Sequence, residues 1–423
     1  MGNTIFDFEV TRRKFLKVLA MAGVVSSVDI LGPWDTRVFG REKPIKIGHP
    51  DPLTGPYTTL GSWGLWGAMV AVDRINEAGG INGRPVEMIA EDTQGQVPMA
   101  LRKIRKLVLK NEVDVIQGLT SSKVCLGCMP TARELKTLFM AGICMATDIT
   151  REAADRYTFR PYNNATIQAV AFSPWLVKNV GKKWHFAYVD YAWGQSEFKE
   201  FSLFIKKAGG EMLGATPIPH GTEDMMPYLS QVNPKADGLH LSFAGHDAVI
   251  AVTQAAELGL TKKMGVAGPG AIIAASDLPA MGNAANGVMS VNRYPPVIEG
   301  PLDTPYNRAF HKEFTKVSKG KLSNRYSLSN FEGVNFIKLA MQQVNYQDKA
   351  KDTTKMIEAL EGMKVKEGPD FPQGDKFMRA EDHQVFCRQF ICKAENGEIK
   401  VLDFVPLEDG IYPPMTDVRK QPW

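Results

Sequence analysis

The sequence predicts an α/β protein with two lobes, each built on a parallel β-sheet with helices packed on its faces. Three observations lead to this fold class. From Ile45 onward, short apolar runs typical of buried strands alternate with segments of helical periodicity. The apolar runs number about twelve, which is more than one open sheet usually holds. A chain of 423 residues is also long enough to form two hydrophobic cores.

The predicted elements follow one another in two series. In the first series we expect strands at 45–49, 86–92, 113–119 and 139–146 and helices at 63–77, 99–110 and from 123 onward. The alternation restarts around 157–168, which places a boundary between the lobes there. In the second series we expect strands at 184–190, 211–218, 238–244 and 263–270 and helices at 166–180, 195–208, 225–232 and 246–258.

The C-terminal third breaks this alternation. Two helices are predicted in succession at 304–318 and 327–345, and Gly and Pro then cluster at 366–374. Two strand-like runs at 384–393 and 398–405 close the chain. This order predicts that the chain passes between the lobes more than once.

The N-terminus has the features of an export signal. The segment TRRKFLK (11–17) precedes an apolar run at 18–28 that is too short to span a bilayer. It resembles the twin-arginine signal, in which paired arginines precede Phe and Leu. The alternative is that it forms the basic start of a helix. We predict periplasmic localisation, with residues 1–43 as a signal segment outside the folded lobes.

Composition and motifs argue against several classes of function. The net charge is only +4 and no long run of Lys and Arg occurs, so we expect no nucleic acid partner. The sequence lacks the nucleophile elbow, the phosphate-binding loop and the zinc-protease motif. His246-Asp247 is more typical of a helix start than of half a catalytic triad. We expect a protein that is not an enzyme and carries no cofactor or metal.

The five cysteines leave several possibilities open. Cys125 and Cys128 have the spacing of a redox or metal-ligand pair, but no second pair and no histidine lies nearby. In an oxidising compartment a structural disulfide or buried thiols are the alternatives, and the odd number leaves at least one cysteine unpaired. Cys387 and Cys392 lie too far apart in an extended strand to bond each other.

Two tryptophans stand in the first helix, directly after a glycine-rich stretch whose backbone could approach a ligand closely. Trp63 and Trp66 lie away from the face that is predicted to pack on the sheet. That face consists of Leu65, Ala68, Met69, Val72 and Ile75. A helix after a parallel strand begins at the carboxyl edge of the sheet, where ligands bind, so the two rings are predicted to wall a cleft. The alternative is that they pack against a neighbouring loop.

Several stretches resemble one known family, the bacterial periplasmic solute-binding proteins of the branched-chain amino acid type. They include IKIGHPDPLTGPYTTLG (45–61), VIQGLTSS (115–122), YTFRPYNN (157–164), YVDYAWGQS (188–196) and AAELGL (255–260). The resemblance implies two Rossmann-like lobes joined by three crossovers, with a ligand cleft between them. It assigns 44–163 plus 293–370 to lobe 1 and 164–292 plus 371–423 to lobe 2.

The resemblance also implies ligand contacts at the strand ends of both lobes. The hydroxyl that holds a ligand carboxylate falls on Ser121, with Ser122 beside it. The second lobe contributes aromatic side chains, beginning with Trp193 in YAWGQ (191–195). With the two tryptophans of the first helix, the predicted ligand-binding residues are Trp63, Trp66, Ser121, Ser122, Asp148, Thr150, Trp193, Phe243 and Tyr326.

Two departures from the family pattern bear on the identity of the ligand. Amino acid binders of this family carry an acid after Gly-Pro that holds the ligand's ammonium, whereas this chain reads Gly268-Pro269-Gly270. Asp148 stands where the family usually has a small residue, and its carboxylate would repel a ligand carboxylate. An ordinary α-amino acid is therefore disfavoured, and the aromatic side chains suit a flat ring or a cationic amine. Alternatively, Asp148 caps the turn at Thr150.

The sequence thus predicts an exported, monomeric protein that captures a small amino-acid-like, amide, amine or aromatic solute. Its second partner would be the membrane permease of an ATP-driven importer. Two alternatives remain open. One is a sensory subunit that docks on a membrane signalling protein, since the same fold serves both purposes, and the other is an exported enzyme.

Overall fold

The structure is a computed structural model that describes residues 43–295, 298 and 302–423. The export signal predicted at 1–43 lies, apart from Lys43, outside the described residues. The α-helices are α1 Thr58–Glu77, α2 Val97–Leu109, α3 Ser122–Glu134, α4 Ala165–Asn179, α5 Ala192–Lys207, α6 Met226–Leu229, α7 His246–Glu257, α8 Leu260–Lys263, α9 Leu278–Met281, α10 Pro305–Val317, α11 Arg325–Gln343 and α12 Lys349–Leu360.

The strands belong to two large sheets and one small one. They are β1 Ile45–Asp51, β2 Val86–Asp92, β3 Val115–Gly118, β4 Phe139–Ala141, β5 Thr158–Phe159, β6 Lys183–Val189, β7 Glu211–Ile218, β8 Gly238–Ser242, β9 Gly265–Pro269, β10 Met289–Asn292, β11 Lys364–Val365, β12 Lys376–Met378, β13 Val385–Phe386, β14 Gln389–Glu395 and β15 Glu398–Val405. Within the described ranges, no helix is both long and apolar enough to cross a lipid bilayer.

The first sheet is parallel throughout and has the order β2-β1-β3-β4-β5. Its central strands are buried on both faces, as the apolar runs in their sequences require, because helices cover both sides of a parallel sheet. Strand β1 pairs in register with β2 from Ile45 opposite Val86 to Asp51 opposite Asp92. This register brings the carboxyl ends of both strands to the same edge.

The second sheet has seven strands in the order β7-β6-β8-β9-β10-β14-β15. The strands from β7 to β10 are parallel, and β14 and β15 are added antiparallel. The predicted fold class, parallel sheets flanked by helices in two lobes, is therefore confirmed. The antiparallel edge and a small third sheet, β11-β12-β13, were not expected from the sequence.

The chain passes between the lobes three times. It leaves the first sheet after β5 and enters the second through β6. After β10 it returns to the first lobe, where α10 and α11 pack against α1, and it joins the second sheet again at β14. The residue limits of the two lobes at 163, 293 and 371 stay predictions.

The glycines of α1 serve the packing of two helices. A Cβ atom on Gly67 would stand 2.0 Å from the carbonyl oxygen of Ser327 on α11, and one on Gly64 would stand 2.8 Å from the Asn330 amide nitrogen. Both distances are too short for a side chain, so only glycine lets α1 and α11 approach this closely. From the sequence, the glycines were interpreted as letting the backbone approach a ligand. In the structure, Gly64 and Gly67 let α1 approach α11.

Candidate functional site

Apart from Tyr326, which lies in α11, the predicted site residues follow the carboxyl ends of strands in both sheets, which is where open α/β sheets bind ligands. Side chains from these loops meet between the lobes. The Tyr57 hydroxyl, before α1, lies 2.8 Å from Nε2 of His220, which follows β7. The backbone N–H of Thr147, after β4, donates to the Ser196 hydroxyl of α5 at 3.2 Å. The loops of the two lobes therefore contact each other at these strand ends.

Ser121 and Ser122 differ in how their hydroxyls are used. The Ser122 hydroxyl accepts hydrogen bonds from the backbone N–H groups of Met145 and Ala146, both at 3.0 Å, and so ties two loops of the first lobe together. Ser121 caps the start of α3 by its backbone and makes no side-chain capping bond. Among the described residues none is hydrogen-bonded to the Ser121 hydroxyl, which leaves it available to a ligand.

A buried polar network that the sequence reasoning missed supports these loops from below. The Asp51 carboxylate accepts a hydrogen bond from the Thr120 hydroxyl at 2.6 Å and lies 3.2 Å from Nε2 of His49. Nδ1 of His49 lies 2.8 Å from Oε1 of Gln117, whose amide in turn donates to Asn330. His49 and Asp51 are fully buried. The available signal was the presence of His and Asp at the end of an otherwise apolar strand.

Asp148 and Thr150 lie in a short 3-10 helix after β4. The turn that follows is held by the Asp148 backbone carbonyl, which accepts from the N–H groups of Arg151 and Ala153. The Asp148 carboxylate is 3.4 Å from the Thr147 hydroxyl, so the alternative of a side-chain cap is not what this turn uses. The ligand-facing role of Asp148 stays a prediction.

The hydroxyl of Thr150 is already occupied. It accepts a hydrogen bond from the guanidinium of Arg160, a fully buried side chain that also donates to Gln384 at 2.7 Å and to the Ala146 carbonyl at 2.5 Å. Arg160 thus joins the loop after β4 to a segment that leads into the second sheet. The Thr150 hydroxyl thus has a hydrogen-bond partner within the protein, and its predicted contact with a ligand stays a prediction.

An ion pair fixes the same loop to the second lobe. Arg151 donates to Glu200 of α5 at 2.6 and 3.0 Å, and both side chains are almost fully buried. Burial alone would lower the pKa of Arg151, but the hydrogen bonds and charge of Glu200 raise it overall. The Arg151 guanidinium therefore stays charged where the two lobes meet.

The second lobe contributes mainly apolar groups. Trp193, in the first turn of α5, is 5% exposed and donates from Nε1 to Glu197 at 3.1 Å. Burial raises the pKa of the Glu197 carboxyl to about 8. Phe243, directly after β8, is fully buried in the core. Neither aromatic side chain has a polar group left to offer a ligand.

The two tryptophans of α1 pack against a neighbouring loop and helix, as the alternative interpretation of the sequence expected. The indole N–H of Trp63 donates to the Leu322 carbonyl at 2.9 Å, and its ring lies 5.1 Å from the ring of Trp66. The Trp66 ring meets Phe314 of α10 edge-on at 6.3 Å. Both rings thus pack against a loop and helix of their own lobe. Their predicted role as cleft walls is not needed to explain their burial, and it stays a prediction.

Three aromatic rings that were not predicted meet at the mouth of the site. The ring of His220 lies 5.3 Å from Tyr57 and 6.1 Å from Tyr191, which follows β6. Burial raises the pKa of Tyr57 to about 12 and that of Tyr191 well above its usual range. Both phenols are therefore neutral donors that span the two lobes.

Tyr326 lies in the first turn of α11, next to an arginine that the sequence reasoning did not single out. The Arg325 guanidinium donates to the Tyr326 hydroxyl at 2.5 Å and sits 4.3 Å from the ring centroid. Tyr162 approaches from the crossover after β5, with its ring 6.4 Å from that of Tyr326. This cluster brings a buried positive charge to the interface between the lobes.

The thiols and acids of the described chain do not form a metal site. No group of three or more His, Cys, Asp or Glu side chains in the described ranges could hold an ion. All five cysteines are buried, and none of them, including Cys125 and Cys128, forms a disulfide. Burial raises the pKa of Cys128 to about 12, so this thiol stays protonated and a poor nucleophile.

The chain is similar to known proteins along most of its length. The family model described as periplasmic binding protein matches residues 44–398. Leu/Ile/Val-binding protein homolog 4 of Brucella abortus is 24% identical over 392 residues, which cover 87% of this chain and 88% of the relative.

Solved structures share the fold. An ABC transporter substrate-binding protein from Sphaerobacter thermophilus has a TM-score of 0.77 and 26% identity and covers 86% of this chain and 98% of its own. A solute binding protein of an ABC transporter from Rhodopseudomonas palustris, in complex with 3,4-dihydroxybenzoic acid, has a TM-score of 0.77 and 22% identity, with coverage of 86% and 98%. The second likeness concerns the fold alone.

Proposed function

The chain belongs to the periplasmic binding protein family, and from this premise we propose that it captures a small organic solute between its lobes and delivers it to an ATP-driven importer. Membership implies a place outside the cytoplasm, and the twin-arginine-type motif at 11–17 is the proposed route of export. The proposed partners are the solute and the permease of the importer.

One observation carries the proposal. The Ser121 hydroxyl, which follows a strand of the first lobe, is hydrogen-bonded to none of the described residues, and loops of the two lobes contact each other, as in the Tyr57–His220 contact at 2.8 Å. Contacts from both lobes to one solute exist only when the lobes are closed, so binding favours the closed state.

The proposed solutes are those that the sequence predicted, namely amino-acid-like, amide, amine or aromatic compounds. One structure of the same fold supports the aromatic compounds among them. The Rhodopseudomonas palustris protein holds an aromatic acid in a chain of the same fold. In the present chain the aromatic side chains Trp193 and Tyr326 are predicted to contact such a ring. An amino-acid-like, amide or amine solute is the other part of the range.

Binding and delivery are tested separately. Native mass spectrometry of the protein as purified identifies a co-purified solute, and calorimetry gives its affinity. We expect Ser121→Ala to weaken binding by about tenfold, because one hydrogen bond to a charged group contributes roughly 1.5–3 kcal/mol. Ser230→Ala, at an exposed site on the second lobe, is the matched control.

Delivery is measured as uptake of the labelled solute by cells that lack the chromosomal gene and carry either variant. We expect Ser121→Ala cells to take up less solute at low concentration, while Ser230→Ala cells match the wild type. Normal uptake in cells without any copy of the protein would contradict the importer assignment. Export is tested by Arg12→Lys with Arg13→Lys, which should abolish periplasmic accumulation.

A further inference from the structure

Arg325 projects from the first turn of α11 toward the second lobe. A Cβ atom built on Gly270, which follows β9, would stand 3.2 Å from Nη1 of Arg325. The Arg325 residue is only 3% exposed. Since α11 packs on α1 of the first lobe, the guanidinium bridges the space between the two sheets.

The guanidinium lacks the partners that a buried arginine normally has. It carries five N–H donors, and of these Nη2 donates to the Tyr326 hydroxyl at 2.5 Å. Over the described ranges, Arg325 forms no ion pair with a carboxylate, and the further phenol that acts on its guanidinium is Tyr162. The two phenols use at most two of the five N–H donors, and Nη1 lies on the side of Gly270.

Other buried arginines of this chain show the contrast. Arg160, which also lacks a carboxylate partner, donates to three oxygen atoms. The remaining buried arginines at the lobe junction are paired with acids, as in Arg151–Glu200, Arg293–Glu332 and Arg379–Asp382. Arg325 departs from this pattern, which indicates that its partner is not part of the described chain.

The charge of Arg325 needs a counter-ion. An arginine stays protonated in proteins, and a buried charge without a partner costs several kcal/mol. The ring of Tyr326 at 4.3 Å offsets only part of this penalty. Burial alone would lower the pKa of Arg325, while Tyr326, Tyr162 and the more distant Asp277 raise it overall. The Asp277 carboxyl acts on Arg325 only through its charge and forms no ion pair with it within 4.0 Å.

Gly270 adds no side chain beside the guanidinium. A Cβ there would come within 2.9 Å of the Val291 carbonyl oxygen and 3.1 Å of Cγ of Asn292, so no larger residue fits at this position. No acid of the loop can therefore neutralise Arg325 from this position. A ligand group that enters here meets a cation with several open N–H donors.

We infer that Arg325 anchors a carboxylate of the solute, so that the solute is an organic acid with no ammonium group at this end. The inference rests on the proposed function and narrows its solute class. The planar fork of a guanidinium matches two carboxylate oxygens, and such charge-assisted pairs are about twice as strong as neutral hydrogen bonds. An ammonium group here would be repelled.

The test compares compounds that differ only in charge. A library of organic acids, their amides, amines and amino acids is screened by thermal shift, and the hits are titrated calorimetrically. It includes benzoate with benzamide, and 4-methylpentanoate with 4-methylpentanamide and leucine. We expect the tightest ligand to be an acid that binds at least tenfold more tightly than its amide, with the ammonium-bearing analogue weaker than the parent acid.

Two results separate the inference from the proposed function. If amino acids, amines or amides bind most tightly, the proposed function stands and the role of Arg325 is wrong. If no compound of the library binds and native mass spectrometry finds no co-purified solute, both are wrong.

Variants locate the effect. Arg325→Gln should lose at least tenfold in affinity for the acid and lose the preference for acid over amide, whereas Arg325→Lys should keep part of both. Arg308→Gln, at an exposed position of α10, is the matched control and should bind as the wild type does. Unchanged selectivity in a folded Arg325→Gln would overturn the inference. If Arg325→Gln does not fold, the acid-to-amide ratio of the wild type decides.

Discussion

The strand ends of the first lobe and those of the second present different chemistry to the space between them. In the first lobe, Asp51, His49 and Thr120 contact one another in a buried network, and the Ser121 hydroxyl stands above it. In the second lobe the corresponding positions hold Phe243, which is fully buried, and Gly270. At these positions the first lobe presents polar side chains and the second lobe does not, and the polar groups of the second lobe come from other loops, as with His220.

The largest effect is expected for Trp63, which tests whether the tryptophans belong to the packing of the first lobe or to its binding edge. Trp63→Ala should lower the free energy of unfolding by about 3–5 kcal/mol, because a buried ring and its hydrogen bond to Leu322 are lost. Chemical denaturation measures this loss, and Trp423→Ala, at an exposed ring, should lose less. A variant with wild-type stability and tenfold weaker solute binding would show that Trp63 walls the cleft.

The next effect concerns the polar network. Asp51→Ala should destabilise the protein by about 3 kcal/mol, since it leaves the Thr120 hydroxyl and His49 buried without their partner. Urea denaturation gives the value, and Asp409→Ala, at an exposed acid, should change stability by less than about 0.5 kcal/mol. Equal stability of both variants would mean that the first edge is not held together by this network.

In the second lobe, the buried carboxyl of Glu197 should make the stability of the protein decrease as pH rises, whereas a paired carboxylate would make it increase. Its folded-state pKa of about 8 lies above the unfolded value, so its contribution is complete at low pH and is lost as pH rises between about 4.5 and 8. The stability of the wild type relative to Glu197→Gln should therefore fall by up to about 1.4 kcal/mol per pH unit in this window. Denaturation at pH 5, 6.5 and 8 measures it.

The matched control for Glu197→Gln is Glu211→Gln, at the exposed start of β7, whose stability relative to the wild type should not vary in that window. A constant difference between wild type and Glu197→Gln across the three pH values would contradict a protonated, buried carboxyl at the second edge.

The smallest effect is expected where the two edges touch. Tyr57→Phe removes the hydroxyl that lies 2.8 Å from His220 and should weaken solute binding by about two- to tenfold, since a hydrogen bond contributes roughly 0.5–1.5 kcal/mol. Calorimetry with the identified solute measures it, with Tyr228→Phe as control. Unchanged affinity together with unchanged closure in small-angle scattering would show that this contact does not stabilise the closed state.

The sequence predicted the fold where local patterns determine structure. The predicted bounds of β2, β7 and β15 agree with the structure, because an apolar or alternating run ends at turn residues in each case. The strand expected at 139–146 ends at Ala141, and the run at 384–393 divides into β13 and β14, which belong to different sheets. Which sheet a short strand joins depends on distant pairing, and no local pattern contains that information.

Other elements were missed for the same reason. Strand β10 has only four residues, two of them the polar Ser290 and Asn292, and it is a strand because β9 and β14 pair with it on either side. Helix α12 is polar over its first half, so its periodicity is weak there.

The candidate site shows the same division between local and distant information. Ser121 could be located by its place after a strand. Arg325 could not, because its distinction is the absence of an acidic partner and its nearness to Gly270, 55 positions away in the chain. The partners of Trp63 and Trp66, which are Leu322 and Phe314, lie even farther away in the sequence. Residue type and spacing predicted a cleft, but which residues lie at the interface between the lobes depends on contacts between distant segments, which only the structure shows.

The burial of all five cysteines has a practical consequence for measuring this protein. A thiol-reactive dye needs an accessible thiolate, and the native thiols are sequestered, with the pKa of Cys128 and of Cys392 raised to about 12. A cysteine introduced at the exposed His220, beside the lobe junction, would thus be labelled selectively without removal of the native ones. The labelled protein would report closure as a change in fluorescence and serve as a reagentless sensor for its solute.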